Sequence, residues 1–159
     1  VVDERDWQQA RAAGGRPLLH GTALLHASLP AHLRSEIVAA AEASLPNEAC
    51  GLLVAPAYAA AAGVPTRFVA LHNAAESPYR YMISPADLLR VVDIEDGGEF
   101  VWAIVHSHVA SPAEPSATDI GLAYYPDSLY LICSLAPPAP VLRAWSIRAD
   151  SVLEVPLDD

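Results

Sequence analysis

The stretch from Phe100 to Val105 does most to limit what this chain can become. Phe-Val-Trp-Ala-Ile-Val is almost wholly apolar, which fits a central strand buried on both faces of a sheet. It leads without a break into His106-Ser107-His108. Side chains alternate along a strand, so the two imidazoles leave it on the same face. Such a strand needs partners on either side and covering layers above and below.

The rest of the sequence supplies those parts. Leu29, Leu33, Ile37, Val38 and Ala41 recur at helical spacing, with Ser28 and Pro30 as a start signal. That helix should end by Pro46. Cys50 to Ala55 has strand length and is followed by an Ala/Pro/Gly loop to about Pro65; Arg67 to Leu71 and Tyr79 to Ile83 read as further strands. Ser84-Pro85-Ala86-Asp87 opens a second helix, with Ser84 as N-cap and Pro85 at the first helical position, and Gly97-Gly98 stops it. A Pro-rich loop precedes a short helix from Ser116 to Tyr124. Leu129 to Ser134 is another buried strand, and Val141 to Arg148 with Val152 to Val155 closes the chain as an antiparallel pair. There are too few strand–helix–strand crossovers for an all-parallel sheet. The expected class is α/β (α+β), a mixed, largely antiparallel sheet flanked by helices.

The chain has 159 residues, a length that suits one domain. Residues 1–22 are polar and contain Gly14-Gly15, so they are expected to form a loosely ordered extension ahead of a domain at 23–159. Apolar residues make up 53% and charged ones 18% of the chain, a globular rather than disordered composition. The net charge of −10 and the lack of clustered Lys and Arg argue against a nucleic-acid partner. No apolar run approaches the roughly 20 residues of a membrane span, and Val1-Val2-Asp3-Glu4-Arg5 is no signal-peptide start. The expectation is a cytoplasmic protein without a membrane partner. Cys50 and Cys133 lie in or beside apolar runs and read as buried free thiols.

The chemistry is concentrated in one stretch. A seven-residue spacer separates His106-Ser107-His108 from Ser116-Ala117-Thr118-Asp119. Ser116 and Asp119 are one helical turn apart and share a side of their helix. Two histidines and a carboxylate leave a tetrahedral zinc with its fourth place open for water, the catalytic pattern. Alone, His-x-His is weak, and Ser-x-x-Asp is also a helix cap; Ser84-Pro85-Ala86-Asp87 shows the same spacing and reads as nothing more. The combination carries the weight. There is no His-Glu-x-x-His and no Pro-Cys-x-x-Cys, which removes the helix-based metalloprotease and zinc-deaminase patterns. His20, His26, His32 and His72 are isolated. Spacing alone does not choose among Glu48, Glu76 and Glu99 as an acid–base partner.

His106-Ser107-His108, the spacer ending in Pro115, and Ser116-Ala117-Thr118-Asp119 together resemble the JAMM signature of the JAB/MPN metallopeptidases. Pro46-Asn47-Glu48-Ala49-Cys50-Gly51-Leu52-Leu53 resembles the family's upstream glutamate followed by Cys-Gly-Leu. Ser77-Pro78-Tyr79-Arg80 and Ser84 to Leu89 resemble the compact bacterial and archaeal branch. The likeness runs from about Pro30 to Leu157. Val109 departs from it, since many members have Pro or Thr after the second histidine.

The resemblance implies a JAB/MPN architecture of the cytidine-deaminase-like kind. It implies one zinc per chain on His106, His108 and Asp119, with water as fourth ligand. Glu48 would be the general base and then acid, and the Ser116 hydroxyl would stabilise the oxyanion. The implied substrate is the amide after the C-terminal Gly-Gly of a ubiquitin-like or sulfur-carrier protein, joined to lysine or to cysteine. A hydrolase for small amides or peptides would share these residues. A non-catalytic MPN scaffold, the other alternative, would usually lack them. Oligomeric state is not legible.

Overall fold

In the computed structural model, residues 27–56 and 64–158 are described. The expected N-terminal extension, His20, His26 and the tip of the Ala/Pro/Gly loop lie outside them. In chain order the elements are β1 (Ala27–Ser28), α1 (Ala31–Ser44), β2 (Cys50–Pro56), β3 (Arg67–Leu71), α2 (Pro85–Asp96) and β4 (Glu99–His108). They continue with α3 (Ala117–Gly121), β5 (Leu129–Ser134), β6 (Val141–Arg148), β7 (Ser151–Val155) and β8 (Leu157–Asp158).

The main sheet has six strands in the order β3-β2-β4-β5-β6-β7. The apolar run Phe100 to Val105 thus lies in an interior strand, β4. It pairs antiparallel with β2 and parallel with β5, and every other neighbouring pair in the sheet is antiparallel. The mixed, largely antiparallel sheet matches expectation. One parallel pair arises because the chain leaves β4 at its carboxyl end, makes α3, and returns to run beside it.

Two apolar layers sandwich the sheet. On one face Leu33, Ile37 and Ala41 of α1 pack with Leu53, Ala103, Val105, Leu131 and Cys133. On the other, Val91 and Ile94 of α2 pack with Leu52, Val54, Val101, Ile104 and Tyr130. Strict alternation is interrupted once. The β2–β4 register shifts between Leu53, opposite Ala103, and Val54, opposite Val101. Trp102 is the extra residue of a bulge, and both Trp102 and Ala103 face the α1 layer. From Ile104 onward alternation resumes, with Ile104 on the α2 face.

Two departures from the sequence reading have clear physical causes. Tyr79 to Ile83 is not a strand. Its backbone is held instead by the turn at Asn73: Asn73 Oδ1 accepts from Met82 N at 3.0 Å, Asn73 Nδ2 donates to Arg80 O at 3.0 Å, and Ala74 N donates to Met82 O at 2.9 Å. An amide group with both donor and acceptor can replace a strand partner locally, and the propensity of Tyr-Arg-Tyr-Met-Ile does not reveal that. Of the two residues read as the α1 start signal, Pro30 is the N-cap, whereas Ser28 lies in β1, which pairs in parallel with β8. That tie joins the start of the described domain to its end, a long-range pairing invisible to local pattern.

Gly51 lies at a close approach of β2 and β3 that leaves no room for a side chain. A Cβ there would lie 2.5 Å from Phe68 Cε2 and 2.7 Å from the Val69 carbonyl oxygen. The backbone atom cannot turn aside as a side chain can. We expect Gly51→Ala to lower stability by about 1–3 kcal/mol through overpacking, read as a lower urea midpoint with an unchanged slope.

Candidate metal centre

The site lies at the carboxyl ends of the two parallel strands, where α3 folds back over them. Alternation carries His106 and His108 to the α2 face, and both are buried. Ser107 between them faces the other way, as period two requires. Its Oγ accepts from Ala49 N at 2.7 Å, while Ser107 N donates to Ala49 O at 3.0 Å. This reciprocal pair extends the β2–β4 register past Cys50, which stands opposite His106. Glu48 lies two residues before Cys50, and His108 and Asp119 are the charged groups that act on its carboxyl.

Asp119 comes from α3. Ser116 is the N-cap, with its Oγ accepting from Asp119 N at 3.2 Å, and Asp119 Oδ2 accepts from Ser116 N at 2.7 Å. This capping box fixes the carboxylate and turns it inward. Its Oδ1 lies 3.3 Å from His106 Nε2, and its Oδ2 lies 3.4 Å from His108 Nε2. The two Nε2 atoms are 3.2 Å apart. One ligand atom from each of these three side chains falls within 4.8 Å of the others, so together they form a cluster able to hold a metal ion.

The donor chemistry suits a cation. His108 Nδ1 is 2.7 Å from Pro112 O; a carbonyl can only accept, so Nδ1 carries a proton. Burial lowers the pKa of this ring, but its hydrogen bonds to Asp119 and the Pro112 carbonyl outweigh it and raise the ring above its ordinary value; a cation displacing the Nε2 proton would meet a lone pair facing the cluster. Complete burial pushes His106 below its ordinary value despite the Asp119 hydrogen bond, so its ring is neutral. Burial raises Asp119, but hydrogen bonds from His106, His108 and Ser116 outweigh it and hold the carboxyl well below the usual carboxylate range. Two imidazoles and one carboxylate therefore converge, a donor set that fits zinc once a bound cation replaces the Nε2 protons.

His106 is oriented differently from His108. Its ring stacks on Tyr81, with centroids 4.5 Å apart and planes 19° apart, while its buried Nδ1 has no hydrogen-bond partner among the described residues. Tyr81 and Asn73 are contributors that the sequence reading missed. Besides holding the segment that bears Tyr81, Asn73 Nδ2 donates to Glu48 O at 3.0 Å. No local signal marks either residue, because both act through loop backbone that folds back from a distance.

Glu48 is buried, and its Oε2 has no partner among the described residues. Desolvation pushes its carboxyl up to about 7, with His108 lowering it and Asp119 raising it. The rival glutamates are elsewhere. Glu76 is exposed with His72, and Glu99 pairs with Arg67 at the far end of β4, about 30 Å from His108 at roughly 3.3 Å per residue. Ser116 is exposed at the start of α3.

Comparison with known proteins agrees with this geometry. The pattern of the family described as prokaryotic homologs of the JAB domain matches residues 30–148. The chain belongs to that family. This JAB-domain chain is 36% identical over 130 residues to the CysO-cysteine peptidase of Mycobacterium tuberculosis, covering 80% of its own length and 87% of the relative. The solution structure of a Desulfitobacterium hafniense protein superposes with a TM-score of 0.70 at 34% identity, covering 82% of this chain and 90% of that one. A JAB1/MPN domain protein from Archaeoglobus fulgidus shares the fold, with a TM-score of 0.51 at 17% identity over 84% of this chain and 99% of that one. The JAB/MPN architecture expected from the signature is the one found. No described helix of this JAB-domain chain is long and apolar enough to cross a membrane.

The raised Glu48 pKa has a consequence for stability. A folded value near 7 against an ordinary 4.5 means that the metal-free fold binds this proton more tightly than the unfolded chain does. Stability is therefore lost as pH rises from about 4.5 to about 7. In chelator-treated protein, Glu48→Gln should raise the melting temperature at pH 8 and leave it nearly unchanged at pH 5. An equal shift at both pH values would show that Glu48 is not an unpaired buried acid.

Proposed function

We propose that this chain is a zinc-dependent peptidase that hydrolyses the amide joining the C-terminal Gly-Gly of a small carrier protein to cysteine. The observation that carries the reading is the convergence of His106, His108 and Asp119 beside the desolvated carboxyl of Glu48. The choice of cysteine as leaving group is supported by similarity to a CysO-cysteine peptidase across 87% of that relative. A scaffold that only binds would have no need for a complete ligand set buried beside an unpaired acid.

His106 Nε2, His108 Nε2 and an Asp119 carboxylate oxygen would hold one zinc, with water as the remaining ligand. Bound there, zinc supplies a Lewis acid that lets water ionise near neutral pH and polarises the scissile carbonyl. Glu48 takes the proton of the attacking water and delivers it to the leaving amine; burial raises its carboxyl in the metal-free site, and a cation held by its neighbours would favour the charged form that accepts the proton. Ser116 Oγ already accepts from Asp119 N, which leaves its hydroxyl hydrogen to donate to the carbonyl oxygen as negative charge develops there.

The contrast with the other Ser-x-x-Asp supports this role for Ser116. At the start of α2 the Ser84 hydroxyl donates to Asp87 Oδ2 at 2.8 Å, so its hydrogen is committed within the cap. At α3 the Asp119 carboxylate takes the Ser116 backbone N–H instead.

Purified without chelator, the protein should carry about one zinc per chain and release cysteine from a carrier–Gly-Gly–cysteine adduct, followed by intact mass. Chelator should stop the reaction. Glu48→Gln should keep its zinc and lose about 10²- to 10⁴-fold in turnover. Turnover equal to wild type in zinc-loaded Glu48→Gln would sink the general-base assignment. Asp119→Ala should bind zinc much more weakly, and full occupancy in that variant would count against the ligand set. Cleavage of a Gly-Gly–lysine isopeptide but not of the cysteine adduct would move the leaving group to lysine. Cleavage of small amides alone would remove the carrier protein from the reading.

A further inference from the structure

We propose that Ser134 and Trp145 are positioning residues for the metal ligand His108, acting through the backbone of residues 109–115. This inference rests on His108 being a ligand, as argued above. His108 presents its Nε2 lone pair only while Nδ1–H has an acceptor, and that acceptor is the Pro112 carbonyl at 2.7 Å. Pro112 sits in a connection with no regular structure, and both it and Ser111 are exposed. The lone backbone bond to the same carbonyl from within the connection is local, from Glu114 N at 2.8 Å. Something outside the loop must hold that carbonyl against the competition of water.

The carbonyls on either side of it are gripped from the sheet. Ser134 Oγ, on buried β5, donates to Ser111 O at 2.6 Å. Trp145 Nε1, on β6, donates to Ala113 O at 3.0 Å, and Ala113 is buried. Three successive carbonyls, those of Ser111, Pro112 and Ala113, thus meet Ser134, His108 and Trp145 in turn. The indole is itself fixed. The Arg143 guanidinium lies 4.8 Å from the ring centroid, and Arg143 is held by Glu154 and reaches Glu114 of the same loop at 2.7 Å. Neither Ser134 nor Trp145 belongs to the ligand cluster, yet each fixes a peptide adjoining the one that sets the His108 tautomer and ring orientation.

Partners behind a metal-bound histidine commonly contribute 10- to 100-fold to metal affinity. Trp145→Phe removes the indole donor and keeps an aromatic ring, and Ser134→Ala removes the hydroxyl with little change in volume. In the full-length chain, zinc affinity measured by competition with a chromophoric chelator should fall about 3- to 10-fold for each single variant. The double variant should lose about 10- to 100-fold. The cobalt-substituted double variant should also show altered visible bands, a change in ligand field that a general loss of stability would not produce. If the double variant loses its cooperative melt, Trp145→Phe alone carries the same expectation for affinity and spectrum. Zinc affinity within twofold of wild type together with an unchanged cobalt spectrum would overturn the proposal. Failure of the wild-type chain to bind zinc or cobalt would instead overturn the metal-centre reading on which it rests.

Discussion

The antiparallel pairing of β2 with β4 is the constraint on which the site depends. Cys50 opposite His106 and the two hydrogen bonds between Ala49 and Ser107 bring the chain entering β2 alongside the histidines leaving β4. A slip of one residue would send the histidines' partner side chains to the opposite face. The slip is resisted by packing on both faces, since Leu53 belongs to one apolar layer and Leu52 and Val54 to the other. The bulge at Trp102 is absorbed within the strand, before the chemistry begins.

The same arrangement explains why a buried carboxyl whose Oε2 has no partner among the described residues can sit beside the His106–His108–Asp119 cluster. Its main chain is fully engaged. Glu48 N donates to Ser77 O at 2.9 Å and Glu48 O accepts from Asn73. The backbone is pinned while the carboxyl is left to the site, and stability is given up for a group poised near neutral pH. Strained or desolvated groups of this kind cluster at functional positions and are held by the structure around them. Here the holding is done by Asn73, whose amide donates to Glu48 O and Arg80 O and accepts from Ala75 N and Met82 N.

Much of the site was legible because two of its devices are local. Period-two alternation sent His106 and His108 to one face, and a helix cap fixed the distance between Ser116 and Asp119. Neither device depends on the rest of the fold. The contrast between two Ser-x-x-Asp caps was not legible. Both form, and both Ser Oγ atoms accept the N–H of the Asp three residues on, but only the α3 carboxylate is buried against imidazoles. Asp87 instead meets Arg90. The peptide pattern is the same, and the environment differs.

By itself the sequence determined the order of the helices and of β2 to β7 apart from one strand too many at Tyr79 to Ile83, the interior position of β4, the pairing of histidines with a cap-borne aspartate, and the family resemblance. These follow from periodicity, turn chemistry and short spacings. Local spacing left open which glutamate meets the site; the resemblance pointed to Glu48, and tertiary structure decided that its carboxyl is desolvated beside His108 and Asp119, a contact between residues far apart in sequence. Tertiary structure likewise decided that Tyr79 to Ile83 is irregular chain placing Tyr81 on His106, and that β1 closes on β8. The pinning of the His108 acceptor by Ser134 and Trp145 belongs with them. Each is a contact across long sequence separation, made by a side chain whose own neighbours carry no trace of its partner.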